Sequence, residues 1–206
     1  KTIVVPTLAD TDIFTPIEKQ KDVPILGWIG THSTLPFLES IFPVLERLAT
    51  DYRFKLKIVG AGNKDIQIRG VEIENREWNL EREVSDFQSL DIGLYPIVTS
   101  DSANEQWLMG KSGFKAIQYL AVGVPFVMSP VGVCAEIGED NVTHFNAVTH
   151  EDWYNSLSRL IRDADLRKAM GTAGRHFGSA NYSVPKYAAV LAEAMKAVTG
   201  SDRKGR

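Results

Sequence analysis

The strongest constraint on this chain is an alternation of short apolar runs with stretches of helical spacing. Ile25 to Ile29, bounded by Pro24 and Gly30, reads as a buried strand. Leu38 to Thr50 follows with apolar residues at Leu38, Ile41, Phe42, Leu45, Leu48 and Ala49, which is helical spacing, and Pro36 sits ahead of it where a first turn tolerates proline. Phe54 to Val59 is a second strand closed by Gly60-Ala61-Gly62, and Val71 to Ile73 a shorter third. Glu81 to Leu90 is a polar helix with Val84, Phe87 and Leu90 on one face. Asp91 to Tyr95 is a fourth strand stopped by Pro96. The polar loop from Ile97 to Met109 is long for a connection in a compact domain, which marks it as functional. Lys111 to Val122 is a helix, Phe126 to Met128 a strand, Val133 to Ile137 a short helix and Thr143 to Asn146 a last strand. Helices over Glu151–Arg162, Leu166–Phe177 and Pro185–Val198 close the chain. This order predicts an α/β fold, a doubly wound, Rossmann-like parallel sheet. Ligands of such sheets bind beyond the carboxyl ends of the strands, here after Ile29, Val59, Ile73, Tyr95 and Met128.

The 206 residues fit one domain of ordinary globular composition, 44% apolar and 24% charged. A net charge of −3 gives no pull toward nucleic acid, and no nucleic-acid partner is expected. The single cysteine, Cys134, rules out an internal disulfide and fits a reducing, cytoplasmic setting. The longest apolar run, Tyr119 to Met128, is interrupted by Pro125 and falls short of the roughly 20 residues that span a bilayer. The first residues lack the form of a signal peptide and carry no initiator Met, so a longer parent chain is expected.

Two loops carry candidate chemistry. Gly30-Thr31-His32-Ser33-Thr34 joins the first strand to the first helix. Its glycine permits close backbone approach, and the hydroxyls of Thr31, Ser33 and Thr34 suit a phosphate or an ordinary helix cap. Gly110-Lys111-Ser112-Gly113 opens the helix that ends at Val122. It is not a P-loop, because the glycine required five residues before Gly110 is Glu105. What remains is a glycine-rich helix start with a cation, Lys111, able to pair with a diphosphate, followed by Phe114. Gly60 and Gly62 lack the third glycine of a dinucleotide fingerprint and read first as a turn. Trp78 and Trp107 sit in loops at the site edge, suited to stacking on a base or to packing. Asp10-Thr11-Asp12 lacks further oxygen ligands nearby, the four histidines show no metal spacing, and no metal site is expected. The sequons at Asn141 and Asn181 read as chance in a cytoplasmic chain.

These residues carry a family likeness. Lys111 to Gly132, KSGFKAIQYLAVGVPFVMSPVG, resembles the EGFGLxxxEAMAxGxPVVxSxxGG signature of family-4 (group 1) retaining glycosyltransferases. The opening IVVPTLADTDIFTP resembles their interdomain segment VxPNGVDxxxFxP. LKIVGAG resembles their second strand and turn, and LIRDADLRKAMGTAGRHFGSANYS resembles their closing helices. The resemblance implies the C-terminal, donor-binding lobe of the two-lobed B-type fold. Residues 1–22 would then be an interdomain hinge segment, 23–200 the nucleotide-sugar-binding domain and 201–206 a basic tail. It also implies no divalent cation or other cofactor. The donor would be a nucleoside-diphosphate sugar of UDP or GDP type. The acceptor, a sugar or lipid-linked sugar, would be held by an absent N-terminal lobe, with peripheral association of the full enzyme at the inner membrane face.

Two family glutamates align here with Gly110 and Gln118. Gln118 keeps hydrogen-bonding capacity for ribose, Gly110 keeps none, and Glu105 in the adjacent loop is a candidate replacement beside the donor sugar. The loop after the first strand lacks the usual Arg and Lys, which leaves diphosphate charge to Lys111, with Lys115 one turn on. The leading expectation is a glycosyltransferase donor lobe that binds nucleotide but is inactive alone. The alternatives are a sugar-nucleotide epimerase of the same fold, with Glu105 and His32 as its candidate catalysts, and a non-catalytic nucleotide-sugar-binding module.

Overall fold

The computed structural model describes residues 2–19, 23–98 and 108–201. Its centre is a six-stranded, wholly parallel sheet: β1 (Ile25–Ile29), β2 (Lys55–Val59), β3 (Glu72–Arg76), β4 (Ile92–Tyr95), β5 (Phe126–Met128) and β6 (Phe145–Asn146), in the order β3-β2-β1-β4-β5-β6. The helices are α1 (Leu35–Glu39), α2 (Phe42–Asp51), α3 (Glu83–Gln88), α4 (Phe114–Ala121), α5 (His150–Arg162), α6 (Ala164–Tyr182) and α7 (Val184–Ser201). This is the expected doubly wound sheet. Strand order reverses between β1 and β4, where such sheets open a crevice at their carboxyl edge.

The strands are apolar on both faces because both are covered. Leu26, Trp28, Leu56, Ile58, Ile92, Leu94 and Val127 meet α1, α2 and α5. Ile29, Val59, Phe126 and Met128, the residues between them, meet α3 and α4. That period of two fixes the register, since a one-residue slip would exchange the two cores. On the α4 face, Gly27 of β1 pairs with Gly93 of β4. A Cβ on Gly93 would fall 2.7 Å from the Tyr119 ring, and one on Gly27 would fall 2.1 Å from Leu90. The Tyr119 hydroxyl reaches across both strands, 3.1 Å from the Gly27 carbonyl and 3.3 Å from that of Leu94.

Several elements differ from expectation. The helix expected over Leu38–Thr50 is two, because Pro43 has no N–H to continue the α1 ladder and instead occupies the first turn of α2. The third strand, expected over Val71–Ile73, begins at Glu72 and runs three residues further, to Arg76, as a polar edge strand paired with β2. α4 begins at Phe114, because Gly113 has a left-handed backbone (φ +67°), so Lys111 and Ser112 precede the helix. Val133–Ile137 is 3-10 rather than α, over Gly132–Glu136. Among the described residues, no helix is long and apolar enough to cross a membrane.

Arg175 of α6 ties down the leading segment. Its guanidinium donates to the carbonyls of Thr11, Phe14 and Ala121 at 2.6–2.7 Å. Asp10 closes the turn there, accepting the N–H groups of Asp12 and Ile13.

The α3 face holds a buried ion pair: Lys57 of β2 donates to Asp86 Oδ1 at 2.6 Å and to Ser89 Oγ at 2.9 Å. Removing one partner leaves an uncompensated charge in the core. Lys57→Met should therefore destabilise by about 3–5 kcal/mol, and adding Asp86→Leu should recover most of the loss. Urea denaturation of both variants checks this; a single-variant loss below about 1 kcal/mol would contradict the account.

Candidate functional site at the carboxyl edge

The loop after β1 and the start of α4 flank the switch point. Gly30 donates its N–H to the Val59 carbonyl at 3.0 Å, which continues the β1–β2 ladder into the loop. Beyond it, the hydroxyls turn on one another. Thr31 Oγ1 lies 2.9 Å from Ser33 Oγ, while Thr34 Oγ1 accepts the Thr31 N–H and donates to the Thr31 carbonyl, both at 3.1 Å. The Thr34 hydroxyl thus locks the turn, and the exposed hydroxyls of Thr31 and Ser33 face outward with His32.

The loops after β2 and β3 form the adjoining wall. Gly60 has φ +87°, and a Cβ there would come within 2.2 Å of the Gly30 carbonyl and 3.6 Å of Trp78 Cβ. Only glycine lets these backbones meet so closely. Gly62, at φ +78°, is open around its Cα, and its carbonyl accepts from Asn75 Nδ2 at 3.0 Å. Trp78 is 47% exposed beside Gly60.

On the other flank, Gly113 is the N-cap residue of α4, and among the described residues no side chain caps that helix start. The first N–H groups of α4 therefore have no partner within the helix and carry its positive dipole end. Lys111 is half-buried with its ammonium 5.1 Å from the Phe37 ring centre in α1, so the lysine and the β1–α1 segment come together. Burial pushes Lys111 below the ordinary lysine value, and the Cys134 sulfur opposes this. Burial raises the Cys134 thiol, against a hydrogen bond from Tyr95. Ser112 and Phe114 are exposed. Glu105 and Trp107 lie outside the described residues.

Gln118 takes a position the sequence does not foretell. The resemblance sets it against ribose, but its side chain is wholly buried. Its Nε2 donates to Glu83 Oε1 at 3.1 Å, and its Oε1 accepts from Lys115 Nζ, also at 3.1 Å. Lys115 and Glu83 face each other at 3.7 Å. Burial lowers the Lys115 pKa, with the Glu83 charge acting to raise it. Glu83 is the residue that sequence reasoning missed. The available signal was its place four residues before Phe87, which puts both on the packed face of α3.

A cavity of about 720 Å³ lies at the opposite, amino-terminal edge of the sheet, lined by Lys19, Asp91, Gly123, Arg167 and Arg175 among others. None of the expected site residues among those described lines it, and the switch-point crevice opens on the carboxyl edge.

Comparison with solved structures places this architecture. Sucrose-phosphate synthase from Thermosynechococcus elongatus matches at a TM-score of 0.73 and 15% identity, over 96% of this chain and 52% of that one. The C-terminal domain of a glycosyl transferase group 1 family protein (LpcC) from Francisella tularensis matches at 0.63 and 17%, over 85% of this chain and 99% of that domain. Anabaena Alr3699/HepE, solved in complex with UDP-glucose, matches at 0.68 and 12%, over 92% of this chain and 56% of that one. No protein-family model matches the chain, and no curated protein matches it by sequence. The chain shares the fold of these glycosyltransferase structures, including that of a group 1 C-terminal domain, and it spans about half the length of the sucrose-phosphate synthase and HepE chains.

Gly113 and Gly62 separate two costs of a side chain at positive φ. A Cβ at Gly113 would lie 2.1 Å from Ile137 Cδ1, whereas none at Gly62 would meet an atom within 4 Å. Gly62→Ala should cost about 1 kcal/mol of backbone strain, and Gly113→Ala about 2–3 kcal/mol because overpacking adds to strain. Equal losses in urea denaturation would contradict this.

Proposed function

We propose that this chain is the donor-binding lobe of a retaining glycosyltransferase that uses a nucleoside-diphosphate sugar. One observation carries the reading: the fold likeness to glycosyltransferase C-terminal lobes coincides with an uncapped, lysine-bearing helix start at the switch point of the sheet. The complex of HepE with UDP-glucose supports a nucleotide-sugar ligand.

In this reading the diphosphate lies between Gly30–Thr34 and Lys111–Phe114. The N–H groups at the start of α4 and the hydroxyls of Thr31, Ser33 and Ser112 receive its oxygens. Thr34 contributes by holding the turn. Gly30, Gly60, Gly62 and Gly113 keep the walls thin enough for the backbone to approach the ligand. Trp78, exposed at the edge, stacks on the base. As the glycosidic bond to the donor breaks, negative charge gathers on the departing diphosphate. Lys111 stabilises that charge more than the ground state, and this difference is what accelerates transfer. Glu105 remains the candidate carboxylate beside the donor sugar. The acceptor, sugar or lipid-linked, belongs to a second lobe, so this lobe binds nucleotide without transferring sugar. The full enzyme works in the cytoplasm, at the inner membrane face when its acceptor is a lipid, and needs no metal or other cofactor.

Calorimetry of this chain with UDP and with GDP is the direct test. One of them should bind, and no binding of either at millimolar concentration would overturn the reading. The burial of Lys111 sets the pH dependence. Its charged form binds the anion, so affinity is full below the lowered pKa and falls as pH rises through it. Affinity should begin to fall at a lower pH than an ordinary exposed lysine would set, and Lys111→Ala should abolish most of that slope. In the full-length enzyme, Lys111→Ala should slow transfer at least about tenfold, or about 1.4 kcal/mol of transition-state stabilisation.

A further inference from the structure

We propose that Glu83 is the carboxylate that receives the ribose diol of the nucleotide, an inference that rests on the nucleotide-sugar reading above. Glu83 opens α3 at the carboxyl edge of the sheet, beside the first turns of α4. Gln118, Lys115 and Glu83 form a closed triangle with edges of 3.1, 3.1 and 3.7 Å. Both ends of the Gln118 amide are used inside it, and Gln118 is wholly buried. Gln118 therefore reaches a ligand through Glu83 and not directly.

The Glu83 carboxylate is half-committed. Its side-chain hydrogen bond and ion pair among the described residues both fall on Oε1, and the side chain keeps 16% of its exposure. An ionised carboxylate has acceptor sites on both oxygens. One oxygen is held by a buried amide, which sets the orientation of the group, and the remaining acceptor sites can receive O–H donors. A vicinal diol supplies two neutral donors on adjacent carbons. Acidic residues serve the ribose 2′-OH in the same way in other doubly wound nucleotide-binding folds.

Electrostatics place the two ends of the nucleotide. A carboxylate repels a diphosphate, so Glu83 must face a neutral part of the ligand. The two lysines at the start of α4 lie on different aromatic neighbours. Lys111 lies over Phe37 of α1, on the side of the β1 loop, and Lys115 lies over Phe87 of α3, beside Glu83. The first is placed for the diphosphate. The second stands opposite a carboxylate, which leaves its flank close to neutral. The diphosphate thus belongs toward α1 and the ribose toward α3, with the base running on toward Trp78.

The test is calorimetry of this chain with whichever of UDP and GDP binds, paired with its 2′-deoxy analogue. The wild-type chain should prefer the ribonucleotide by at least about fivefold, because loss of one hydroxyl leaves an acceptor of a fixed carboxylate unmatched. Glu83→Ala should weaken ribonucleotide binding about tenfold and bring the ratio near one. Glu83→Gln keeps an acceptor for Gln118 and should fold normally by circular dichroism. It decides the matter if the alanine variant does not fold, and its ratio should lie between wild type and one. A purely structural role would lower both affinities together and leave the ratio unchanged, which would overturn the inference. So would a wild-type chain that binds the ribonucleotide without discrimination; the donor-lobe reading would then survive. Failure of the wild-type chain to bind either diphosphate would overturn both.

Discussion

The position of α4 depends on one side chain lying flat on the sheet. Tyr119 rests on Gly93, and its hydroxyl spans the carbonyls of Gly27 and Leu94, bridging the two strands between which the strand order reverses. A side chain on Gly93 would lift the ring, and α4 with it. The start of α4 carries Gly113 and, one turn on, the Lys115–Gln118 pair, so the carboxyl-edge geometry descends from this contact. Phe87 and Phe126 pack against the Tyr119 ring at 5.2 and 5.5 Å between centroids, which ties α3 and β5 to the same anchor.

Charge in this fold is managed by depth. Lys57 and Asp86 are both buried and pair at full hydrogen-bonding distance, while Lys115 and Glu83 lie nearer the rim and stand farther apart. Lys111, just ahead of α4, lies over an aromatic ring and near a buried sulfur. The cost of desolvating a cation is met inside the fold by a carboxylate in the first two cases. Pairing of this kind keeps buried structural charges neutralised.

Much of the framework was legible in the chain itself. β1 and β5 match their expected bounds to the residue, because each is a short apolar run between proline or glycine signals. β3 was harder. Glu-Ile-Glu-Asn-Arg has almost no apolar pattern, and its strand character comes from pairing with β2 along one edge. The break between α1 and α2 was readable at Pro43 but hidden by an uninterrupted helical periodicity on either side. In the site, the glycine-rich loops were visible as local spacing. The Glu83–Gln118 contact joins residues 35 positions apart, and no local pattern reports a meeting of two helices. Family likeness pointed to Gln118 alone, because alignment transfers a position and not the neighbour it contacts.

The Arg175 clamp has a mechanical consequence. Its guanidinium grips the leading segment at Thr11 and Phe14 and, with the same group, the last residue of α4 at Ala121. A pull applied to the chain ahead of Ala9 meets the Ala9–Tyr182 backbone hydrogen bond and then these three carbonyls, so α6 and α4 bear it ahead of β1. The leading segment and the end of α4 thus share one load path through a single side chain.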